Sequence, residues 1–236
     1  MNPLDPTRHH AVAGPARTPA CVSNAAEAAT SANRVLRNTY LLLAMTLLFS
    51  AATAGATMVL DLPRPGLLVT LLGYFGLLFL TTKFRNQGLG VACVFALTGF
   101  MGYTLGPLLN LHLGMANGAQ TVMMAFGATA AVFVGLSGYA LASRKDFSCL
   151  GGFLAAGIVI GFLASLGAVL FDIPALSLAV SAMFVLLMSR LILYETGNII
   201  HGGETNYVMA TVTLYVSIFN LFTSLLQLLG VLNSDE

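Results

Sequence analysis

Charge is what this sequence has least of. Only 8% of its 236 residues are Asp, Glu, Lys or Arg, against about 25% in an average soluble domain. A chain of this size cannot build a water-facing surface from so little charge. Ten basic and nine acidic residues leave a net charge of +1, and no basic stripe is visible, which argues against a nucleic-acid partner. The three cysteines, Cys21, Cys93 and Cys149, show no CxxC spacing and are odd in number, so they read as small packing groups rather than as a disulfide or metal framework. Tryptophan is missing altogether, which leaves anchoring at a membrane surface to tyrosines such as Tyr40, Tyr103 and Tyr194. GxSxG, HExxH and paired intramembrane aspartates are also lacking. Intramembrane hydrolysis therefore has neither a nucleophile nor a metal, and no catalytic residue, cofactor or metal site is expected. No internal repeat is apparent, which weighs against a transporter built from inverted halves.

What the chain has instead is apolar length. It is 57% hydrophobic with a mean hydropathy of +0.87, and nearly everything after residue 38 falls into blocks of roughly 20 apolar residues, the length that crosses about 30 Å of hydrocarbon. Seven blocks can be drawn: Thr39 to Leu60, Gly66 to Thr82, Gly88 to Leu111, Ala119 to Ala142, Cys149 to Phe171, Ala175 to Tyr194 and Tyr207 to Leu232. Prolines mark two of the breaks, in Asp61-Leu62-Pro63-Arg64-Pro65 and Asp172-Ile173-Pro174, because each removes a helix donor. Pro107, inside the third block, is tolerable in a membrane helix and is expected to bend it. Residues 1–34 differ in kind: Pro3, Pro6, Pro15 and Pro19 among Ala, Ser, Thr and Asn leave little to bury, so this segment is expected to be a disordered tail. It lacks an apolar signal-peptide core, and the first block should act as an uncleaved anchor. The domain reading is thus a tail over 1–34 and an all-α, seven-helix transmembrane domain over 35–236.

Basic residues indicate a direction. Arg34, Arg37, Lys83, Arg85, Arg144, Lys145 and Arg190 cluster at the tail or at the second, fourth and sixth boundaries, and only Arg64 lies at the opposite ones. The positive-inside rule then places the N-terminus in the cytoplasm and the C-terminus outside. Gly102 and Gly106, and again Gly157 and Gly161, stand four apart. Each pair lets helix backbones approach closely, either within the bundle or at a dimer face.

Polar residues inside such blocks are costly and need a reason. Glu195 stands at the end of the sixth block. A carboxylate in low-dielectric surroundings holds its proton more firmly than one in water, so it is either a proton- or ion-contacting group or a side chain reaching cytoplasmic water or a neighbouring helix. Arg190, five residues earlier, lies on a different helix face and is expected to snorkel to the headgroups. His201 and Glu204 are separated by Gly202 and Gly203, which suit a turn better than a ligand face. His112 and Asp172 read as solvated residues at outer turns. In the seventh block Ser217, Asn220 and Ser224 recur at i, i+3 and i+7, a polar stripe that belongs against other helices or a small hydrated cavity.

Several ordered stretches resemble the Bax-inhibitor family of membrane proteins. These are Val35-Leu36-Arg37-Asn38-Thr39-Tyr40 leading into Leu47 to Ala54, Thr98-Gly99-Phe100-Met101-Gly102-Tyr103-Thr104-Leu105-Gly106-Pro107, and above all Glu195 through Tyr207 followed by Ala210 to Ser217. The last of them is similar to the bacterial YccA branch of that family almost residue for residue. The resemblance implies a seven-helix bundle with the seventh helix central, surrounded by the other six. It implies two functions. YccA-type members are inner-membrane modulators of the ATP-dependent protease FtsH, with its HflK–HflC partners. Other members are pH-sensitive calcium leak channels governed by one aspartate on the sixth helix and one on the seventh. Glu195 matches the first of these carboxylates, but the second falls at Ser217. A carboxylate beside a hydroxyl cannot share a proton as a pair of acids does, and calcium wants six to eight oxygens with several charges. The expectation is therefore a non-enzymatic FtsH regulator in the bacterial inner membrane, with a pH-sensitive calcium or proton leak as the alternative. The ion- or proton-sensing candidates are Glu195, Ser217 and Asn220.

Overall fold

The computed structural model describes residues 19–233 apart from Ala116, Arg144 and Asp146, and among these the regular secondary structure is all helical. Seven α-helices follow one another: α1 (Pro19–Val59), α2 (Leu67–Phe84), α3 (Gly88–Leu113), α4 (Gly118–Ser143), α5 (Gly151–Leu170), α6 (Pro174–Ile200) and α7 (Tyr207–Leu232), with a 3₁₀ turn at Ser148–Leu150 before α5. All 7 are long and apolar enough to cross a membrane. Two boundaries differ from the sequence reading. Helix α1 begins at Pro19, so residues 19–34 are helical rather than an irregular tail. Alanine, the best helix former, recurs through that stretch, and Pro19 opens it at a position where the missing N–H costs nothing. Residues 1–18 of the expected tail lie outside the described residues. Helix α6 runs past Tyr194 to Ile200, because Glu195, Thr196, Gly197 and Ile199 are buried against neighbours and packing overrides their weak propensity.

The ends are closed by local chemistry. Asp61, Asn117 and Asp172 adopt positive φ (47°, 58° and 49°), a region that short polar side chains tolerate, and they make the turns at one face of the bundle. At the opposite face Gly202, with φ 75°, ends α6 in the left-handed conformation glycine favours. Asn206 then caps α7, its side-chain oxygen accepting from the Val208 and Met209 N–H groups at 3.0 and 3.2 Å. The Asn206 amide also donates to the Arg85 carbonyl and to Asn86 Oδ1, at 3.1 and 2.8 Å. The α6–α7 and α2–α3 connections are thereby pinned together at the basic end.

Helix α7 is the hub. It packs against α1, α3, α4 and α6, and Val208, Ala210, Val212, Leu214, Tyr215 and Leu221 supply much of the core. Central is right, but enclosure by six helices is not. Among element pairs in substantial contact, α2 leans on α3 and α5 on α6, and an edge-to-face contact between Phe75 and Phe162 at 5.5 Å joins the two outer helices. Both expose large side chains such as Leu68, Leu72, Ile160 and Leu163, which suits lipid-facing positions.

The glycine pairs resolve in favour of packing within the bundle. Gly102 and Gly106 bring α3 onto Ser50, Thr53, Ala54 and Thr57 of α1, while Gly157 and Gly161 bring α5 onto Leu187, Met183 and Phe184 of α6. Helix α3 continues unbroken through the buried Pro107.

Candidate functional site

Buried polar residues occur throughout the bundle, on α1 (Thr39, Thr46, Ser50 and Thr57) as well as on α7 (Thr211, Ser217 and Ser224), and Glu195 is the buried carboxylate among the described residues. Glu195, on the last turns of α6, is only 5% exposed. No hydrogen bond or ion pair reaches its carboxylate from the described residues, and the like charge of Glu204 acts on it from the α6–α7 connection. Its neighbour Thr196 is fully buried and meets the Tyr40 hydroxyl of α1 at 3.3 Å. Thr211 of α7 donates to the Tyr207 carbonyl at 2.7 Å and to the Thr39 carbonyl of α1 at 3.3 Å. Among the described residues the Thr39 and Ser137 hydroxyls are buried without a hydrogen-bond partner. Glu204 Oε1 accepts from the Asn206 N–H at 2.7 Å, while His201 Nδ1 lies 2.8 Å from the Gly197 carbonyl. Both side chains thus serve the turn that joins α6 to α7.

Ser217 and Asn220 each donate a hydrogen bond to their own helix. The Ser217 hydroxyl is fully buried and donates to the Thr213 carbonyl of its own helix at 2.7 Å. The Asn220 amide donates to the Val216 carbonyl at 2.8 Å. Measured from the α6–α7 connection, Glu195 lies about 7 Å deep and Ser217 about 15 Å, at 1.5 Å per residue. Among the described residues no hydrogen bond links Glu195 to Ser217 or Asn220. Nor do three or more His, Cys, Asp and Glu side chains converge anywhere within them. A lone carboxylate at this depth supplies one charge, short of the several that calcium coordination draws on.

Two interhelical links escaped sequence reasoning. Gln227 of α7 is held between two α6 serines: Ser181 donates to its Oε1 at 2.7 Å and its Nε2 donates to Ser177 at 2.6 Å. The i, i+4 spacing of Ser177 and Ser181 was the available signal. Tyr215 joins Ser50 of α1 to the Thr98 carbonyl of α3, an arrangement no local pattern reveals. His112 is a correction. It is nearly buried inside α3, with Nδ1 2.9 Å from the Leu108 carbonyl and its ring close to Gly230 of α7. It seals a helix junction and is not a solvated loop residue. Arg190 is exposed on α6 with its guanidinium 5.9 Å from the Phe153 ring, a cation–π contact consistent with a snorkelling side chain.

Comparison with known proteins complements this geometry. Residues 32–234 match the family described as Inhibitor of apoptosis-promoting Bax1. A relative in Escherichia coli K12, named Modulator of FtsH protease YccA, is 54% identical over 205 residues, covering 87% of this chain and 93% of the relative. A second E. coli relative of the same identity and coverage is named an inner membrane protein. A Pseudomonas aeruginosa relative is 54% identical over 202 residues, or 86% of this chain and 91% of its own length.

Proposed function

We propose, from the premise that this chain belongs to the Bax-inhibitor family, that it is a non-enzymatic inner-membrane protein that binds and modulates the protease FtsH. The observation that carries this reading is the 54% identity to the E. coli modulator along 93% of that protein's length. A match of that extent spans the bundle as a whole, which supports a shared role. Glu195 as the single buried carboxylate among the described residues, with Ser217 where the second acid would stand, supports a holding role over ion conduction.

In this reading the basic end faces the cytoplasm. Lys83, Arg85 and Lys145 lie at that end with the start of α1, and Arg64 lies at the other. The residues ahead of α1 then stand where an ATP-driven motor can engage them, and the tightly packed bundle resists extraction. The protein occupies the protease and slows its other work. HflK and HflC belong in the same assembly.

Affinity purification of the full chain from native membranes tests this. FtsH should be enriched over an unrelated seven-span protein, and removal of residues 2–18 should lengthen the half-life of the chain. Equal recovery with the unrelated control overturns the proposal. Liposome flux separates it from an ion-leak role: flux that is present in the wild type and abolished by Glu195→Gln would favour the channel instead.

A further inference from the structure

Helices α1 and α4 do not close on each other along their whole length. Tyr40 and Phe133 bring them together near the basic end, with ring centroids 6.0 Å apart. Beyond that contact they frame a cavity of about 370 Å³, floored by Tyr215, Ile218, Phe219 and Phe222 of α7 and backed by Leu105 and Leu109 of α3. Its rim includes Phe126 and Val134, which are 69% and 67% exposed, so the opening is continuous with the lipid-facing surface of the bundle.

The cavity has no use for water. Hydroxyls reach its wall only from Ser50, Thr129 and Tyr215. Ser50 is bonded to Tyr215, Tyr215 to the Thr98 carbonyl, and Thr129 to the Ala125 carbonyl at 2.7 Å. A buried water needs two to four polar partners, and these groups are already engaged. Left empty, the walls would forfeit dispersion contacts on one side.

Its dimensions select the occupant. Along α1 the lining runs from Leu47 to Met58, about 16 Å at 1.5 Å per residue, close to half of a hydrocarbon core about 30 Å thick. Spread over that length, 370 Å³ open to the centre of a water-sized sphere gives a groove roughly 5 Å wide for atom centres and about 8 Å between its walls, narrower than a helix about 10 Å across. A single polymethylene chain fits.

We propose that this cavity is a lipid site that takes one acyl chain of a phospholipid from the leaflet on the side of the α1–α2 and α3–α4 connections. The carboxyl end of the chain lies level with Met58, and its terminal methyl group lies by Leu47, where the Tyr40–Phe133 contact stops it.

The test uses the full chain in nanodiscs of phosphatidylcholine carrying a diazirine either near the carboxyl end or at the methyl end of one acyl chain. After irradiation, adducts are mapped by peptide mass spectrometry. The carboxyl-end probe should mark residues level with Met58 and Leu109, and the methyl-end probe residues level with Leu47 and Ser50. Ala130→Trp, which places an indole in the cavity, should abolish these adducts. Ala131→Trp, one residue away and outside the lining, should leave them intact. Adducts spread evenly over α2 and α5 with none in the cavity would overturn the proposal, as would a pattern that does not change with probe depth. Protein–protein cross-links through the rim with no lipid adduct would overturn it in favour of a partner helix. The depth pattern in the wild type stands even if Ala130→Trp fails to fold.

Discussion

Replacing Gly106 by alanine adds one methyl group where α3 crosses closely over α1. That methyl would lie 2.8 Å from the Ala54 carbonyl oxygen and 2.9 Å from Thr57 Cβ, with Thr57 Oγ1 closer still. The hydroxyl can rotate away from its bond to the Ala54 carbonyl, but the carbonyl belongs to the α1 backbone and cannot. Helices α1 and α3 must therefore separate. Overpacking of this kind costs about 1–3 kcal/mol, and replacing glycine within a helix returns about 0.5–1 kcal/mol. The net expectation is a loss of about 0–2.5 kcal/mol, centred near 1 kcal/mol, which at that centre is roughly 2–4 °C in melting temperature for a chain of this size. Gly135 in α4 is the matched control, because nothing lies within 4 Å of an added Cβ there. Gly135→Ala should leave the melting temperature unchanged or raise it by up to about 4 °C. Thermal unfolding of both variants in the same detergent decides the matter. If Gly106→Ala melts at or above the wild type, α1 and α3 do not pack as described.

Three further outcomes follow. Tyr215→Phe removes the hydroxyl shared by Ser50 and the Thr98 carbonyl and should cost about 0.6 kcal/mol, the average for a hydrogen bond between membrane helices, and at most about 1.7 kcal/mol for each bond; no change in unfolding midpoint would contradict it. Asn206→Ala loses both the α7 cap and the tie to Arg85 and Asn86, so a loss of about 1–2 kcal/mol is expected. Hydrogen exchange should rise together at the α2–α3 connection and the first turn of α7, and a rise confined to α7 would refute the tie. Single cysteines at Asn117 and Asn86, in a Cys-free background, should react with an impermeant maleimide from outside and only after membrane permeabilisation, respectively; the reverse order would invert the orientation.

Much of the architecture could be read directly from the chain because the bilayer leaves few alternatives. Seven blocks gave seven helices, and the Asp61–Pro65 and Asp172–Pro174 breaks fell where proline and a left-handed aspartate demand them. What escaped was set by tertiary burial. Thr196, Gly197 and Ile199 look like a loop in isolation, yet their burial carries α6 to Ile200. Ser217 and Ser224 are packed inside the bundle, whereas the cavity borders a different and largely apolar face of α7, from Tyr215 to Phe222. The Ser177–Gln227–Ser181 clamp and the Tyr215 bridge join residues at least 46 positions apart, beyond the reach of any periodicity. Glu195 was conspicuous as a membrane carboxylate, but its lack of a bonded partner among the described residues depends on three dimensions.

The first helix runs without interruption from Pro19 to Val59, about 60 Å at 1.5 Å per residue and twice the thickness of the hydrocarbon it crosses. A load applied to its N-terminal end therefore finds no slack hinge to absorb it. Tension travels along one stiff strut into the seam where Ser50, Thr53 and Thr57 meet the α3 glycines, and it loads those contacts in shear, all at once rather than one after another. Rupture in that geometry demands far more force than peeling, so the length of a single helix makes the whole bundle mechanically stubborn along the very direction in which it can be pulled.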